Sequence, residues 1–264
     1  MTVDATTGRA VGAGELTPYL SAAPDPDAPL RLFCLHHAGG GASLFAQWQQ
    51  ALGPSVSVLP VQLPGRERRV RDPRLTDMTD AVRALAEELG PHLDAPHVFY
   101  GHSMGALVSF NLIHTRIASG QRAPEALVVG ACNPPDVPPV SASTKGMTRD
   151  RLVQWLLDAG GMSPMMLKYP DWVDAAAALV RDDLRLCNSH VVGRREPLPL
   201  PIFAYAGQSD PLLASEAMAG WARHGDAAFE LRTVFGGHLF VRDSPKQFLT
   251  SLGSDLARAA AGRR

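Results

Sequence analysis

The chain has 264 residues, of which 45% are hydrophobic and 19% are charged, and its formal net charge at pH 7 is −1. This composition is typical of a globular protein with a sizeable core, and it excludes the strongly basic field that attracts nucleic acid or an anionic membrane. No segment has the length and hydrophobicity of a membrane span, and the first residues lack the pattern of a secretion signal. The three scattered cysteines, Cys34, Cys132 and Cys187, predict free thiols in a cytoplasmic protein.

Predicted strands alternate with predicted helices along most of the chain. Residues 1–28 are rich in Ala, Gly, Thr, Pro and Asp and predict a flexible leader, whereas residues 29–264 predict a single α/β domain. The alternation predicts a mostly parallel sheet with helices on both faces. The predicted strands cover residues 30–35, 56–61, 96–100, 126–131, 201–206 and 229–235, and the predicted helices begin near Ser43 and cover residues 76–93, 106–113 and 245–261.

The first predicted strand runs directly into a Gly-rich turn, His36-His37-Ala38-Gly39-Gly40-Gly41. Glycines allow a backbone to approach a bound group closely. The turn lacks the Gly-x-Gly-x-x-Gly spacing of dinucleotide sites, and no Lys-Ser or Lys-Thr follows it. A nucleotide site is therefore disfavoured at this turn.

A Gly-x-Ser-x-Gly sequence, Gly101-His102-Ser103-Met104-Gly105, lies between a predicted strand and a predicted helix. This context predicts a nucleophile elbow, a turn so tight that side chains two positions from the serine would clash. Ser103 is therefore the predicted nucleophile, exposed above the sheet edge at the start of a helix. His102 is predicted to pack or form hydrogen bonds beneath it.

Residues 134–198 interrupt the alternation of strands and helices. They contain two helical patterns and four of the eight methionines, and they follow a strand at the ligand-binding edge of the predicted sheet. This position favours a lid over the site, whose methionines adapt to flexible apolar substrates, although an ordinary extra helical layer is the alternative. The predicted substrate contacts in the lid are Met147, Trp155, Met162, Met165 and Met166.

A nucleophilic serine needs a base, and the base needs a carboxylate that orients it. Asp210 follows one predicted strand and His238 follows the next, so both loops open at the same sheet edge as Ser103. The predicted catalytic residues are therefore Ser103, His238 as base and Asp210 as its orienting group. Asp182 and Asp183 lie in a predicted helix of the insertion and are interpreted as solvated charges.

The negative oxygen formed during attack on a carbonyl needs hydrogen-bond donors. The backbone N–H of Met104, directly after the nucleophile, is one predicted donor, and the N–H of Ala38 in the Gly-rich turn is the other. These residues suffice for acyl transfer, so neither a metal nor an organic cofactor is expected.

Five segments together resemble the type II thioesterases, free-standing α/β-hydrolases that accompany polyketide and nonribosomal peptide synthases. The resemblance extends from about residue 30 to 255. The segments are Leu35-His36-His37-Ala38-Gly39-Gly40, Leu63-Pro64-Gly65-Arg66-Glu67, Gly101-His102-Ser103-Met104-Gly105, Gly207-Gln208-Ser209-Asp210 and Gly237-His238-Leu239-Phe240.

The resemblance implies an α/β-hydrolase fold with a helical lid, and hydrolysis of acyl groups from the phosphopantetheine arm of carrier proteins. It implies the same triad and oxyanion donors as the residues themselves. The expected partner is thus an acyl-loaded carrier protein, and a monomer is the expected state. An arginine-rich stretch is interpreted as solvated surface, with docking of an acidic carrier as the alternative: it comprises Arg66, Arg68, Arg69, Arg71 and Arg74.

Three other functions stay open at this point. The chain-terminating, medium-chain thioesterases of fatty acid synthesis share most of these segments. An oxygen-ester hydrolase or an acyltransferase would use the same triad, with exclusion of water deciding between hydrolysis and transfer. A non-catalytic binding protein on the same fold is disfavoured by the complete set of Ser, Asp, His and Gly-rich turn.

Overall fold

A computed structural model describes residues 16–193 and 195–262. The strands are β1 (Leu30–Leu35), β2 (Val56–Pro60), β3 (His97–His102), β4 (Ala126–Gly130), β5 (Ile202–Gly207) and β6 (Phe229–Val234). The α-helices are α1 (Trp48–Leu52), α2 (Met78–Leu89), α3 (Met104–Ala118), α4 (Arg149–Asp158), α5 (Pro170–Asn188), α6 (Phe240–Asp243) and α7 (Pro245–Ala261). Within these two ranges, no helix combines the length and hydrophobicity needed to cross a membrane.

The strands form one parallel sheet in the order β2-β1-β3-β4-β5-β6. The chain adds β2 on one side of β1 and then crosses to the other side, so the topology switches between β1 and β3. In open sheets of this kind, ligands bind in the crevice beyond the carboxyl ends of the strands at the switch point. The fold thus confirms the predicted α/β architecture and places the loops after β1 and β3 beside that crevice.

Successive side chains of a strand point to opposite faces of the sheet, so the central strands contribute to two hydrophobic cores, one on each face. Phe33 and Phe99 join α2 and α3 on one face of the sheet, whereas Leu32 and Tyr100 join α1 and α7 on the other. Because helices cover both faces, the inner strands are buried throughout and appear in the sequence as continuous apolar runs.

The strand predictions agree with the structure to within two residues, but the first helix differs. A 3₁₀ turn (Ala42–Phe45) comes before the short α1. A helix was predicted to begin near Ser43, but the Ser43 side chain does not cap one. Its hydroxyl donates to Glu67, and its backbone N–H donates to the same carboxylate at 3.1 Å. Glu67, in the loop after β2, therefore binds this turn.

The segment between β4 and β5 is a helical insertion that contains α4 and α5. These helices form a small core of their own. Its buried members are Leu152, Val153, Leu156, Met162, Val173, Ala177, Val180 and Leu184. The insertion therefore packs around its own side chains as well as against the sheet.

The predicted leader covers two different regions. Residues 1–15 lie outside the described residues. Residues 16–28 are not a free segment, because Tyr19 and Leu20 belong to the core and Leu20 forms an antiparallel bridge with Val61. The apolar Tyr-Leu pair explains this difference, since its burial fastens the chain to the edge of β2.

Candidate active site

The turn at Ser103 has the geometry of a nucleophile elbow. Ser103 has φ +53° and ψ −112°, and its N–H donates to the carbonyl of Gly130 at 2.7 Å. A Cβ atom on Gly101 would lie 2.3 Å from the carbonyl oxygen of Gly105, and a Cβ on Gly105 would lie 2.2 Å from the carbonyl oxygen of Leu35. Both contacts are impossible, so the two glycines are required for the steric reason that the sequence indicated.

His238 and Asp210 reach this serine from the loops after β6 and β5. His238 Nε2 lies 3.1 Å from Ser103 Oγ, and His238 Nδ1 lies 2.8 Å from Asp210 Oδ2. The other carboxylate oxygen of Asp210 accepts the N–H groups of Leu212 and Leu213 at 2.8 and 3.2 Å. The structure therefore brings the three predicted side chains into one hydrogen-bonded series, with the carboxylate 1% exposed.

His102, inside the elbow, holds the backbone that carries His238. Its Nε2 lies 2.7 Å from the carbonyl oxygen of His238, and its Nδ1 lies 2.8 Å from the hydroxyl of Tyr100. Burial holds the pKa of His102 well below its usual range, so the ring is neutral. A neutral ring has one donor nitrogen and one acceptor, which fits Nε2–H donating to the carbonyl while Nδ1 accepts the phenol proton.

Two residues that line the pocket with Ser103, Ala38 and Met104, have backbone N–H groups without an acceptor of their own. Among the described residues, neither Ala38 nor Met104 donates its N–H to any group. Met104 is the first residue of α3, where helix geometry leaves the N–H unpaired and the dipole is positive. Both N–H groups are therefore available to an acceptor that the protein itself does not supply.

Burial sets the charge of the other polar groups around the site. It lowers the pKa of His37 to about 4 and raises the pKa of Cys132 to about 12, and it also raises that of Cys187. His37 is therefore neutral at pH 7, and both thiols stay protonated. Since the thiolate is the nucleophilic form of cysteine, neither Cys132 nor Cys187 competes with Ser103 as a nucleophile.

An apolar pocket opens beside Ser103, with ≈ 640 Å³ of empty space when the region open to solvent is counted. The sheet body and the insertion both contribute to its wall. Its lining includes Met104, Leu107, Ala131, Cys132, Val140, Trp155, Leu156, Ala159, Leu184, Cys187, Leu212 and Leu239. Such a wall suits an acyl chain and offers few partners to a polar substrate.

Of the five insertion residues predicted to contact substrate, Trp155 lines this pocket and the four methionines do not. Met162 and Met166 pack into the insertion's own core, and Met165 is 62% exposed. Met147 precedes α4, where its carbonyl accepts a hydrogen bond from Arg181. Composition indicated an apolar insertion but could not show which side of each helix faces the pocket.

Two charged residues that were interpreted as solvated are buried beside the Gly-rich turn. Arg66 and Asp183 are 4% and 0% exposed and form a bidentate pair with both N···O distances at 2.7 Å. The solvated interpretation holds better for Arg68 and Arg71, which are exposed. Of the neighbouring acids, Asp182 is only partly exposed and pairs with Arg74 at 3.0 Å. Nothing in the sequence around either residue indicated that Arg66 and Asp183 form a buried pair, because they lie 117 residues apart.

In the part of the chain that the structure describes, no cluster of three or more His, Cys, Asp or Glu side chains is arranged to hold a metal ion. The histidines near the site pair with carbonyl groups, with Tyr100 or with the triad residues.

The parallel sheet, the elbow and the loops around it define an α/β-hydrolase. Residues 30–256 match the thioesterase domain family, and the chain belongs to that family. It is 32% identical to RedJ, the thioesterase from the prodiginine biosynthetic pathway in Streptomyces coelicolor, with a TM-score of 0.81 over 88% of this chain and 92% of that one. The type II thioesterase BorB from the borrelidin biosynthetic cluster is 29% identical, with a TM-score of 0.76 over 90% of this chain and 94% of that one.

Another similar protein is named for a different reaction. Linear gramicidin dehydrogenase LgrE from Brevibacillus parabrevis is 31% identical over 94% of each chain. In the present chain, the turn after β1 lacks the glycine spacing of a dinucleotide site. The residues here therefore favour the thioester chemistry of the family over hydride transfer.

Proposed function

We propose that this protein is a free-standing editing thioesterase, which hydrolyses acyl groups from the phosphopantetheine arm of carrier proteins in a nonribosomal peptide or polyketide synthase. The observation that carries the proposal is the hydrogen-bonded series Ser103–His238–Asp210 beside an apolar pocket, in a chain of the thioesterase family. The similarity to RedJ and BorB supports the same pathway context.

In this mechanism, Ser103 Oγ attacks the thioester carbonyl carbon while His238 Nε2 accepts the hydroxyl proton. Asp210 keeps the proton on His238 Nδ1 and stabilises the imidazolium that forms. The N–H groups of Ala38 and Met104 donate to the oxyanion. The C–S bond then breaks, and the sulfur takes the proton from His238.

A thiol with a pKa of about 8.5 leaves more easily than an alcohol, which favours thioesters over oxygen esters. Water then attacks the acyl-Ser103 carbonyl while His238 accepts its proton. The ester bond to Ser103 Oγ breaks, Oγ takes that proton from His238, and the free acid leaves.

The helical insertion acts as a lid in this proposal, because it supplies one wall of the pocket above Ser103. The partner is an acyl-loaded carrier protein, and the protein acts as a monomer in the cytoplasm. Carriers are generally acidic, so the exposed Arg71 is the member of the arginine-rich stretch best placed to meet one, whereas Arg68 is exposed but donates to the carbonyls of Pro18 and Leu20.

The test compares hydrolysis of acetyl-, propionyl- and longer acyl-carrier proteins with hydrolysis of matching oxygen esters. It uses the native protein, Ser103→Ala and, as a matched control at the other end of α3, Ser119→Ala. We expect carriers to be deacylated faster than the esters, loss of turnover in Ser103→Ala, and native rates in Ser119→Ala.

Cleavage of esters with carriers left intact would replace the proposal with a carboxylesterase. Transfer of the acyl group to an added alcohol or amine in preference to water would indicate an acyltransferase. A rate that rises steeply with chain length up to medium chains would favour a chain-terminating thioesterase.

A further inference from the structure

We infer that Asp183 and Arg66 form a positioning pair that holds the Gly-rich turn, so that the helical insertion completes the oxyanion hole. Asp183, on α5 of the insertion, accepts the N–H of Gly39 at 2.7 Å through Oδ2. The same carboxylate accepts hydrogen bonds from Nη1 and Nη2 of Arg66. Arg66 Nη1 also donates to the carbonyl of Gly40 at 3.2 Å. The inference rests on the proposed function, because it concerns the donor at Ala38.

Burial makes this pair a stronger tether than the surface ion pairs. Water reaches neither partner, so the hydrogen bonds within the pair have no solvent competition. A bidentate guanidinium also fixes the orientation of the carboxylate, which a lysine could not do. The carboxylate oxygen that faces Gly39 is thereby held in one direction.

A second contact places α5 against the same turn. Gly39 has φ +78°, and a Cβ atom on it would lie 2.6 Å from Cγ2 of Val180. Val180 and Asp183 are three positions apart and therefore lie on the same face of α5. The helix thus packs on Gly39 with one side chain and accepts its N–H with another.

The hydrogen bonds of the turn orient the peptide groups on both sides of Ala38. The peptide that joins Ala38 to Gly39 is held at both ends: its carbonyl lies 2.9 Å from His37 Nδ1, and its N–H donates to Asp183. The peptide that joins His37 to Ala38 is held by its carbonyl alone, which accepts from Gly40 N–H at 3.0 Å and lies 2.8 Å from His36 Nδ1. Because peptides are planar, fixing these groups fixes the direction of the unpaired N–H of Ala38.

This arrangement predicts a particular kinetic defect. Loss of the pair should misplace one oxyanion donor while leaving Ser103, His238 and Asp210 where they are. A displacement of this kind weakens transition-state binding more than substrate binding. We expect kcat to fall about 10- to 100-fold with KM changed by less than about threefold, below the ~10²–10³ of deleting a donor outright.

The experiment uses Asp183→Asn and the double variant Arg66→Met/Asp183→Leu, assayed with a small acyl-pantetheine thioester so that carrier docking plays no part. The double variant removes both charges together, which buried pairs often tolerate without loss of folding. The matched control is Arg74→Met/Asp182→Leu, which removes the neighbouring, partly exposed pair between α5 and the sheet body. Circular dichroism and thermal unfolding establish that each variant is folded.

Two inhibitors separate positioning from a general structural effect. The first is a trifluoromethyl ketone bearing the pantetheine arm; Ser103 Oγ adds to its carbonyl carbon, and the carbonyl oxygen becomes an oxyanion. The second is the corresponding amide, which binds as an analogue of the substrate ground state. In the Asp183 variants, affinity for the ketone should fall by the same factor as kcat/KM, and affinity for the amide should stay within about threefold. The control pair should leave kcat and both affinities close to native values.

Equal loss of affinity for both inhibitors, or native kcat in both Asp183 variants, would overturn the positioning role. These outcomes differ from failure of the proposed function. In that case the native protein itself would show neither Ser103-dependent turnover nor ketone binding.

Discussion

The proposed triad and the Gly-rich turn lie side by side at the sheet edge, but different parts of the molecule hold them. Each triad residue is supported from within the sheet body: Ser103 by Gly130, Asp210 by the N–H groups after it, and His238 by His102. The Gly-rich turn receives support from the insertion, through Asp183 and Val180, in addition to the hydrogen bond from Arg66 of the sheet body to Gly40.

This difference separates two tasks of the site. In the described structure, the hydrogen bonds that hold the nucleophile and its base come from outside α4 and α5, so the sheet body is expected to hold both without the insertion. In the inference drawn above, the proposed oxyanion donor at Ala38 depends on the insertion. Changes in the sheet loops should therefore abolish activation of Ser103, and changes in the insertion should weaken only the stabilisation of the oxyanion.

Among changes in the sheet loops, Asp210→Asn is expected to cause the largest loss of activity. An amide in this position favours the wrong tautomer of His238, and such a change costs about 10⁴-fold in kcat in a triad of this type. Steady-state kinetics on an acyl-carrier protein would measure it, with Asp226→Asn, which changes an acid before β6, as the control. A loss of less than about tenfold would show that Asp210 is not the orienting carboxylate.

The two ion pairs between α5 and the sheet body should contribute unequally to stability. Arg66→Met leaves the buried Asp183 without its charged partner, and breaking a buried pair in this way costs about 3–5 kcal/mol of unfolding free energy. Arg74→Met removes a partly exposed pair, and such pairs contribute about 0–1 kcal/mol. Urea unfolding of the two variants measures the difference, and equal losses would contradict a special role for the buried pair.

The same contrast explains how far the sequence could predict this molecule. Strand positions, the elbow glycines and the loops of Asp210 and His238 follow from local patterns and from the rule that parallel strands end at one sheet edge. For this reason the fold and the spatial grouping of the three side chains could be predicted before the structure was known.

No comparable rule predicts which side chains of the insertion are buried. Asp182 and Asp183 are adjacent on one helix and look alike in sequence, yet one is partly exposed and the other is fully buried. Only the docking of α5 against the turn after β1 distinguishes them. The same docking decides that Leu184 and Cys187 line the pocket while Met165 faces solvent.

A smaller effect is expected from pH, and it concerns the whole fold. Burial lowers the pKa of His37, in the Gly-rich turn, and of His97, at the opposite end of the sheet, from 6.5 to about 4. Between these values the unfolded chain binds more protons than the folded one, so stability is full above pH 6.5 and falls as the pH drops toward 4. The temperature of thermal unfolding should therefore decrease from pH 7 to pH 5.

His97→Phe removes one of these titrating groups and should make that decrease shallower. An unfolding temperature that stays constant from pH 7 to pH 5 in the native protein would contradict the buried, neutral state of these rings.

The most direct test of the central claim is to identify the acylated residue during turnover. An acyl-carrier protein is mixed with the enzyme, the reaction is quenched in acid within one turnover, and peptides are analysed by mass spectrometry. The account predicts an acyl adduct on the peptide that contains Ser103, which disappears as free acid forms. An adduct on Cys132 or Cys187, or undiminished release of acid by Ser103→Ala, would contradict it.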